Sequence, residues 1–272
     1  INALLSFAAS GTGAAGVTLY YNELHRKAVV SIGDNVKLTS TSVTYKDKDG
    51  STKTDIGNIL VESTGKEWSL IIGAAFAAGK GATVAGNNGY TNAKSEYRVE
   101  TGNDCVFTAD DSVAFYAHLD QSDYIIVGVL SVGTGSASLG EIVSVLTMMN
   151  NVEATTGTGV KMTALVLGDG VQTVNRSDRR KGVYIGATAT EKLLSVAVNL
   201  AGSASMSMSG TVNVIYESNI IKAVVGDNSE LRAGYNAGTT DINPNSGDGD
   251  VVVEADDDSH LVLSMVHFPQ QE

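Results

Sequence analysis

Four apolar runs of one style recur along this chain, and a fifth opens near its end. Leu4 begins LLSFAASGTGAAG, Leu70 begins LIIGAAFAAGKGA, Ile125 begins IIVGVLSVGTGSAS and Leu193 begins LLSVAVNLAGSASMSMSG. LVLSMVHF, from Leu261, is the start of another copy. The starts lie 66, 55, 68 and 68 residues apart. Repetition at such a period restricts the fold to architectures in which each unit packs on the next. It points away from an enzyme with one unique site.

The copies agree beyond their apolar runs. KAVVSIGDN at Lys27 matches KAVVGDN at Lys222, so the turns Gly33-Asp34-Asn35 and Gly226-Asp227-Asn228 hold one place in the repeat. VTLYY at Val17 matches VNVIY at Val212, and ILVE at Ile59 matches VVVE at Val251. Strand-like segments of roughly four to seven residues, bounded by Gly, Asn, Asp and Ser, predict an all-β fold. A unit of about 66 residues divides into three turns of ~22, the length of one coil of a parallel β-helix. The expected architecture is therefore a β-solenoid with roughly three coils per repeat. Its units are 4–69, 70–124, 125–192, 193–260 and a truncated 261–272, all in one solenoid.

Helix competes with strand at Thr188 to Met208 and at Glu141 to Asn150. Serine and glycine lower helix propensity in the first. The alternation Ser205-Met206-Ser207-Met208 has period two, which favours strand. Three polar stretches read as loops free to vary and bind: Thr41 to Gly57, Gly86 to Lys94 and Tyr235 to Asp250. In the second, Asn88-Gly89 is a strong turn signal.

Composition narrows the function classes. Gly supplies 30 of 272 residues and Pro only 2, which removes collagen-like and proline-rich readings. The net charge of −12 argues against nucleic acid, whose phosphates require Lys and Arg. It suits a secreted protein or one that binds cations. The basic cluster Arg176 to Lys181 reads as a solvated loop. The single cysteine, Cys105, excludes an intramolecular disulfide and reads as a small buried hydrophobe. No signal peptide opens the chain, and both ends fall inside repeat units, as expected of a piece of a longer array. No apolar run approaches the ~20 residues of a membrane-spanning helix.

Motifs for chemistry are few. Gly11-Thr12-Gly13-Ala14-Ala15-Gly16 matches a dinucleotide fingerprint, but a strand follows it where that motif needs a helix. Gly73 to Gly81 has the wrong spacing for a phosphate loop. His25, His118, His260 and His267 form no metal-ligand pair, and no GxSxG elbow occurs. No catalytic or cofactor-binding residue is assigned. The acidic clusters are the site-like feature: Asp110 and Asp111, then Asp256, Asp257 and Asp258. Such hard oxygen ligands suit calcium, although solvated turns are the simpler reading. An enzyme on a β-helix, such as a polysaccharide-degrading one, would draw on Asp110, Asp111, Asp120 and Asp123 with Arg98.

The order VVVEADDDSHLVLS, a small-residue stretch, then TVNVIYESNIIKAVVGDNSELRAG resembles repeats of large exoproteins of Gram-negative bacteria. These are filamentous-haemagglutinin-like adhesins and leukotoxin-type proteins exported by type V or two-partner secretion. The resemblance covers most of the chain, best at 1–75 and 183–268. It implies a right-handed parallel β-helix, an extracellular or cell-surface location and a role in adhesion or toxin presentation. The partners it implies are a host-cell surface protein or glycan and the neighbouring coils of a longer protein. It carries over no catalytic residue.

Overall fold

A computed structural model describes residues 1–135, 137–174, 177–234 and 249–271. Strand β1 (Asn2–Ser10) leads to β2 (Ala14–Ile32), β3 (Lys37–Ser40) and a hairpin of β4 (Val43–Lys46) and β5 (Thr52–Asp55). The pattern recurs as β6 (Ile59–Gly79), β7 (Thr83–Thr101) and β8 (Val106–Ala109). It recurs again as β9 (Val113–Gly133), β10 (Ser138–Thr155) and β11 (Lys161–Ala164), then as β12 (Gly182–Ser203), β13 (Ser207–Val224) and β14 (Glu230–Ala233). Strand β15 (Asp250–Gln271) opens a fifth round. No helix occurs among the described residues: Glu141 to Asn150 lies in β10, and Thr188 to Met208 is strand apart from the turn at 204–206.

Equivalent strands stack in parallel. Sheet A runs β1-β6-β9-β12-β15, sheet B runs β2-β7-β10-β13, and sheet C runs β3-β8-β11-β14. The chain passes from A to B to C and back to A, as in a β-helix or solenoid. Register fixes the size of each circuit: Ile59 pairs with Val113, Val113 with Val183 and Val183 with Val251. Each repeat is therefore one circuit, which corrects the expectation of three short coils per repeat. Leu193 stands opposite Leu261, whereas Leu4 faces Gly73 and Leu70 faces Tyr124.

The correction has a physical cause. Strands of sheets A and B run on through residues that usually end strands, because each inner strand is paired along both edges. GNNGYTNAK is the clearest case. It lies inside β7 and makes no turn, with Asn87 and Gly89 pointing inward and Asn88 outward. Gly65 has a similar role: a Cβ there would lie 2.0 Å from the Tyr97 ring. Gly65 makes room for a ring on the facing wall, and Gly89 for the Tyr20 ring on the neighbouring strand of its own sheet.

The corners between B and C are where backbone conformation demands particular residues. Asn35, Asp104, Gly159 and Asn228 all adopt positive φ, between 54° and 71°. Asn and Asp tolerate this left-handed region better than most residues, and glycine enters it freely. The amides of Asn35, Asp104 and Gly159 each donate to a carbonyl one circuit on, at 2.8 Å in every case. Both GDN turns read from the sequence sit here.

The third corner, from C back to A, admits excursions. Thr41 to Gly57 folds as the β4–β5 hairpin, so that expected loop is partly strand. The excursion described at 165–174 and 177–181 lays Val171 on Ala114, Tyr116 and Tyr184 on the outer face of sheet A. Arg180 covers the Tyr184 ring at 5.0 Å and pairs with Glu254, so this basic segment is not simply a solvated loop. Of the expected loop Tyr235 to Asp250, residues 235–248 lie outside the described residues.

Two apolar clusters fill the interior. One gathers around Val99, Phe107, Phe115, Met162 and Ile185, and encloses Cys105. The other gathers around Ile71, Val127, Ile142, Leu146 and Ala197, toward the A–B turns.

Candidate functional site

Between these clusters a belt of polar side chains crosses the interior. Its members occupy inward positions of sheets A and B, in phase with Val61, Ile71 and Ile125. Glu67, Gln121, Glu191 and Ser259 form one column of sheet A. Arg26, Ser95, Asn150 and Asn219 form the facing column of sheet B.

The belt is paired in part: its carboxylates find donors, while Gln121 Oε1, Asn150 Oδ1 and Asn219 Oδ1 are buried without a hydrogen-bond partner among the described residues. Glu67, buried, accepts from Arg26 Nη1 at 2.5 Å, Tyr97 Oη at 2.7 Å and Ser95 Oγ at 2.8 Å. Burial and the neighbouring Glu67 carboxylate raise the Tyr97 phenol well above its usual range. One circuit on, Asp123 accepts from Gln121 Nε2 at 2.6 Å and from Ser69 Oγ. Further along, Glu191 accepts from Asn150 Nδ2 at 2.6 Å and Asn219 Nδ2 at 2.8 Å. Loss of solvent, and then the adjacent Glu217, push the Glu191 carboxyl up to about 8. Glu217 titrates lower than usual, chiefly because of its hydrogen bond with Glu191.

The sequence-derived acidic candidates fall in separate places. Asp110 sits in the corner after β8 and accepts from the Ser42 amide at 2.7 Å. Asp111 is buried there and accepts from the Gly170 amide at 2.9 Å and the Gly168 amide at 3.3 Å. Its role in this geometry is to clamp the excursion at 165–174 and 177–181. Asp256, Asp257 and Asp258 lie within β15 and not in a turn; Asp257 accepts from Asn219 at 3.1 Å. In register they match His118 to Asp120, several residues along the strand and two circuits from Asp111. The two acidic groups do not meet, and among the described residues no cluster of three His, Cys, Asp or Glu side chains is placed to hold a metal.

The group considered for polysaccharide cleavage does not converge either. Asp123 points inward. Asp120 points outward from sheet A toward Lys66, at 3.8 Å. Arg98 lies on the outer face of sheet B among Glu96, Glu100 and Glu153. The glycines at 11, 13 and 16 belong to the A–B turn and the start of β2. A Cβ on Gly16 would lie 2.3 Å from the Phe76 carbonyl oxygen, so close stacking accounts for that glycine.

A polar cleft of about 550 Å3 opens at the corner from C to A. Thr54 and Asp55 of the hairpin line one side, and Gly168, Asp169 and Arg179 of the second excursion line the other. Asp111 and Asn58 form part of its lining, and Arg179 donates to the Gly170 carbonyl at 2.6 Å. Its walls come from separate circuits, so a single-repeat reading could not assemble it. Its sequence signal is the extra length of the units that carry excursions.

The outer face of sheet A is divided near the level of the belt, and that of sheet B a few residues closer to the A–B turns, beyond the outward Glu23, His25 and Lys94. Toward the A–B turns they are apolar: Leu70, Ile72 and Phe76 on β6 align with Tyr124, Ile126 and Leu130 on β9. Away from those turns the same faces carry Lys66, Asp120, Glu96 and Arg98. Among the described residues no helix is long and apolar enough to cross a membrane. No family model, no curated protein and no solved structure matches the chain.

Proposed function

We propose that the chain is a structural and adhesive segment of a secreted or cell-surface bacterial exoprotein of the filamentous-haemagglutinin-like kind. In this reading it forms part of a closed, right-handed parallel β-helix, and the scaffold presents the C–A corner to a host-cell protein or glycan. The observation that carries the reading is where the insertions enter. Both described excursions leave the stack at one corner, while pairing in sheets A, B and C continues in register past them. Loops held on a rigid scaffold in this way are the usual place for binding residues.

The mechanism is one of positioning. Parallel pairing between circuits gives a stiff body, and Asp111 ties the excursion at Gly168 and Gly170 to the corner beneath it. The cleft walls then hold their geometry without a ligand. Host-cell and glycan-array binding of the chain should fall at least tenfold when residues 43–55 are replaced by a short glycine linker. Arg179→Ala should weaken it as well. Equal binding by all three proteins would sink the cleft as the binding site.

A further inference from the structure

We propose that the half of the molecule bearing the A–B turns enters a lipid bilayer, its strands running along the membrane normal. Four independent features of that half match hydrocarbon. First, both of its outer faces are apolar. Sheet B presents Leu19, Val143 and Val212, with Asn88 of β7 standing between Leu19 and Val143, and sheet A presents Phe7, Phe76 and Leu130 in adjacent circuits. Leu19 is 70% exposed and Phe7 is 75% exposed. On sheet A alone, the four strands β1, β6, β9 and β12, spaced ~4.8 Å and roughly ten residues long, make a face of about 630 Å2. Isolated soluble proteins rarely expose contiguous apolar patches beyond about 300–600 Å2.

Second, the length is right. The apolar stretch runs from Leu70 to Gly79, from Tyr124 to Gly133 and from Leu194 to Ser203. Ten residues at ~3.3 Å span about 33 Å, close to the ~30 Å hydrocarbon core that a strand of about 9–11 residues crosses.

Third, charge is excluded from this half. Among the described residues between those limits and across the turns to Tyr21, Tyr90, Val145 and Val214, the charged side chains are Lys80 and Glu141. Lys80 lies in a turn and Glu141 near the start of β10, both toward the tip. Fourth, amphipathic aromatics mark the boundary. Trp68, 52% exposed, lies against Tyr124 on sheet A, and Tyr216 is exposed on sheet B. Such rings favour the headgroup level.

A second copy covering one face would leave the other exposed, whereas a bilayer accepts both together. The bilayer also sets a requirement. Strands β1 and β2 at one end and β13 and β15 at the other are sheet edges. Unpaired backbone is not tolerated in hydrocarbon. The inserted form therefore has these edges joined to the edges of further copies or circuits.

The test uses the full chain with Cys105→Ala and one environment-sensitive fluorophore per protein. Sites are Leu130→Cys and Val212→Cys in the apolar half, and Lys66→Cys and Glu153→Cys outside it. All four point outward, and circular dichroism in buffer confirms that each variant folds. With phosphatidylcholine vesicles, the chain should float with lipid. Emission at 130 and 212 should rise several-fold and be quenched by spin-labelled acyl chains, with no change at 66 and 153. Ile126→Asp with Val198→Asp should cut flotation at least tenfold. Three outcomes would overturn the proposal: no flotation, an equal response at all four sites, or lipid-independent shielding of 130 that grows with protein concentration. The last would assign the face to a second copy.

Discussion

The ring of Tyr20 occupies the space that a side chain on Gly89 would need: a Cβ there would lie 1.7 Å from the ring's Cζ. The pair sits inside the stack, on neighbouring strands of sheet B. Gly89→Ala should therefore destabilise the protein by about 1–3 kcal/mol, the usual cost of overpacking a core. Adding Tyr20→Ala should recover part of that loss, as measured by thermal or urea unfolding. A Gly89→Ala protein as stable as the parent would contradict this packing.

Glu191 gives the stability a pH dependence of known sign. Its folded value, about 8, lies above that of an unfolded glutamate. The folded state therefore holds the proton more tightly, and this contribution is full below the unfolded value. It is lost as pH rises from about 4.3 through the folded value near 8. Glu191→Gln removes the titration while keeping the shape. Its melting temperature should match or trail the parent near pH 4 and exceed it near pH 9. An unchanged difference across that range would exclude Glu191 as the source.

Arg26 is the cation beside the buried Glu67, at 2.5 Å. Removing one partner of a buried pair leaves an uncompensated charge, at a cost of about 3–5 kcal/mol. Arg26→Met should fall near the lower end, because Ser95 and Tyr97 still donate to the carboxylate. Arg26→Met with Glu67→Met should be more stable than Arg26→Met alone. Urea unfolding of the two proteins distinguishes the outcomes.

Asp104 holds a B–C corner at a φ of 54°. Asp104→Gly should stay within about 1 kcal/mol of the parent, since glycine adopts this conformation without strain. Asp104→Val should lose at least about 1–2 kcal/mol, the cost of left-handed backbone for an L-residue with a bulky Cβ. Equal melting temperatures for the two variants would remove the corner's conformational demand.

Much of the architecture was legible because it rests on repetition. KAVVSIGDN and KAVVGDN give equivalent strands and corners without any structure. Strand length was not legible. Asn88-Gly89 has the chemistry of a turn, and only pairing with β2 and β10 along both edges, with the Tyr20 ring of the neighbouring strand over Gly89, shows why the chain stays extended there. The interior belt left a faint signal: Glu67 and Glu191 fall in phase with inward apolar residues. Nothing local distinguishes them from surface glutamates until the facing Arg26 and Asn150 are in place. The cleft joins segments more than a hundred residues apart, so spacing could not assemble it.

One circuit per repeat is the central claim, and a spin-label distance tests it most directly. Lys66, Asp120, Thr190 and Asp258 form one outward column of sheet A. Labels at Lys66→Cys and Asp258→Cys, in a Cys105→Ala background, are three strand spacings apart. Their backbone separation should be about 14 Å at ~4.8 Å per strand. Three coils per repeat would put nine spacings, about 43 Å, between the same two residues. Strong dipolar broadening at the short distance supports the fold described here, and a distance near the longer value would contradict it.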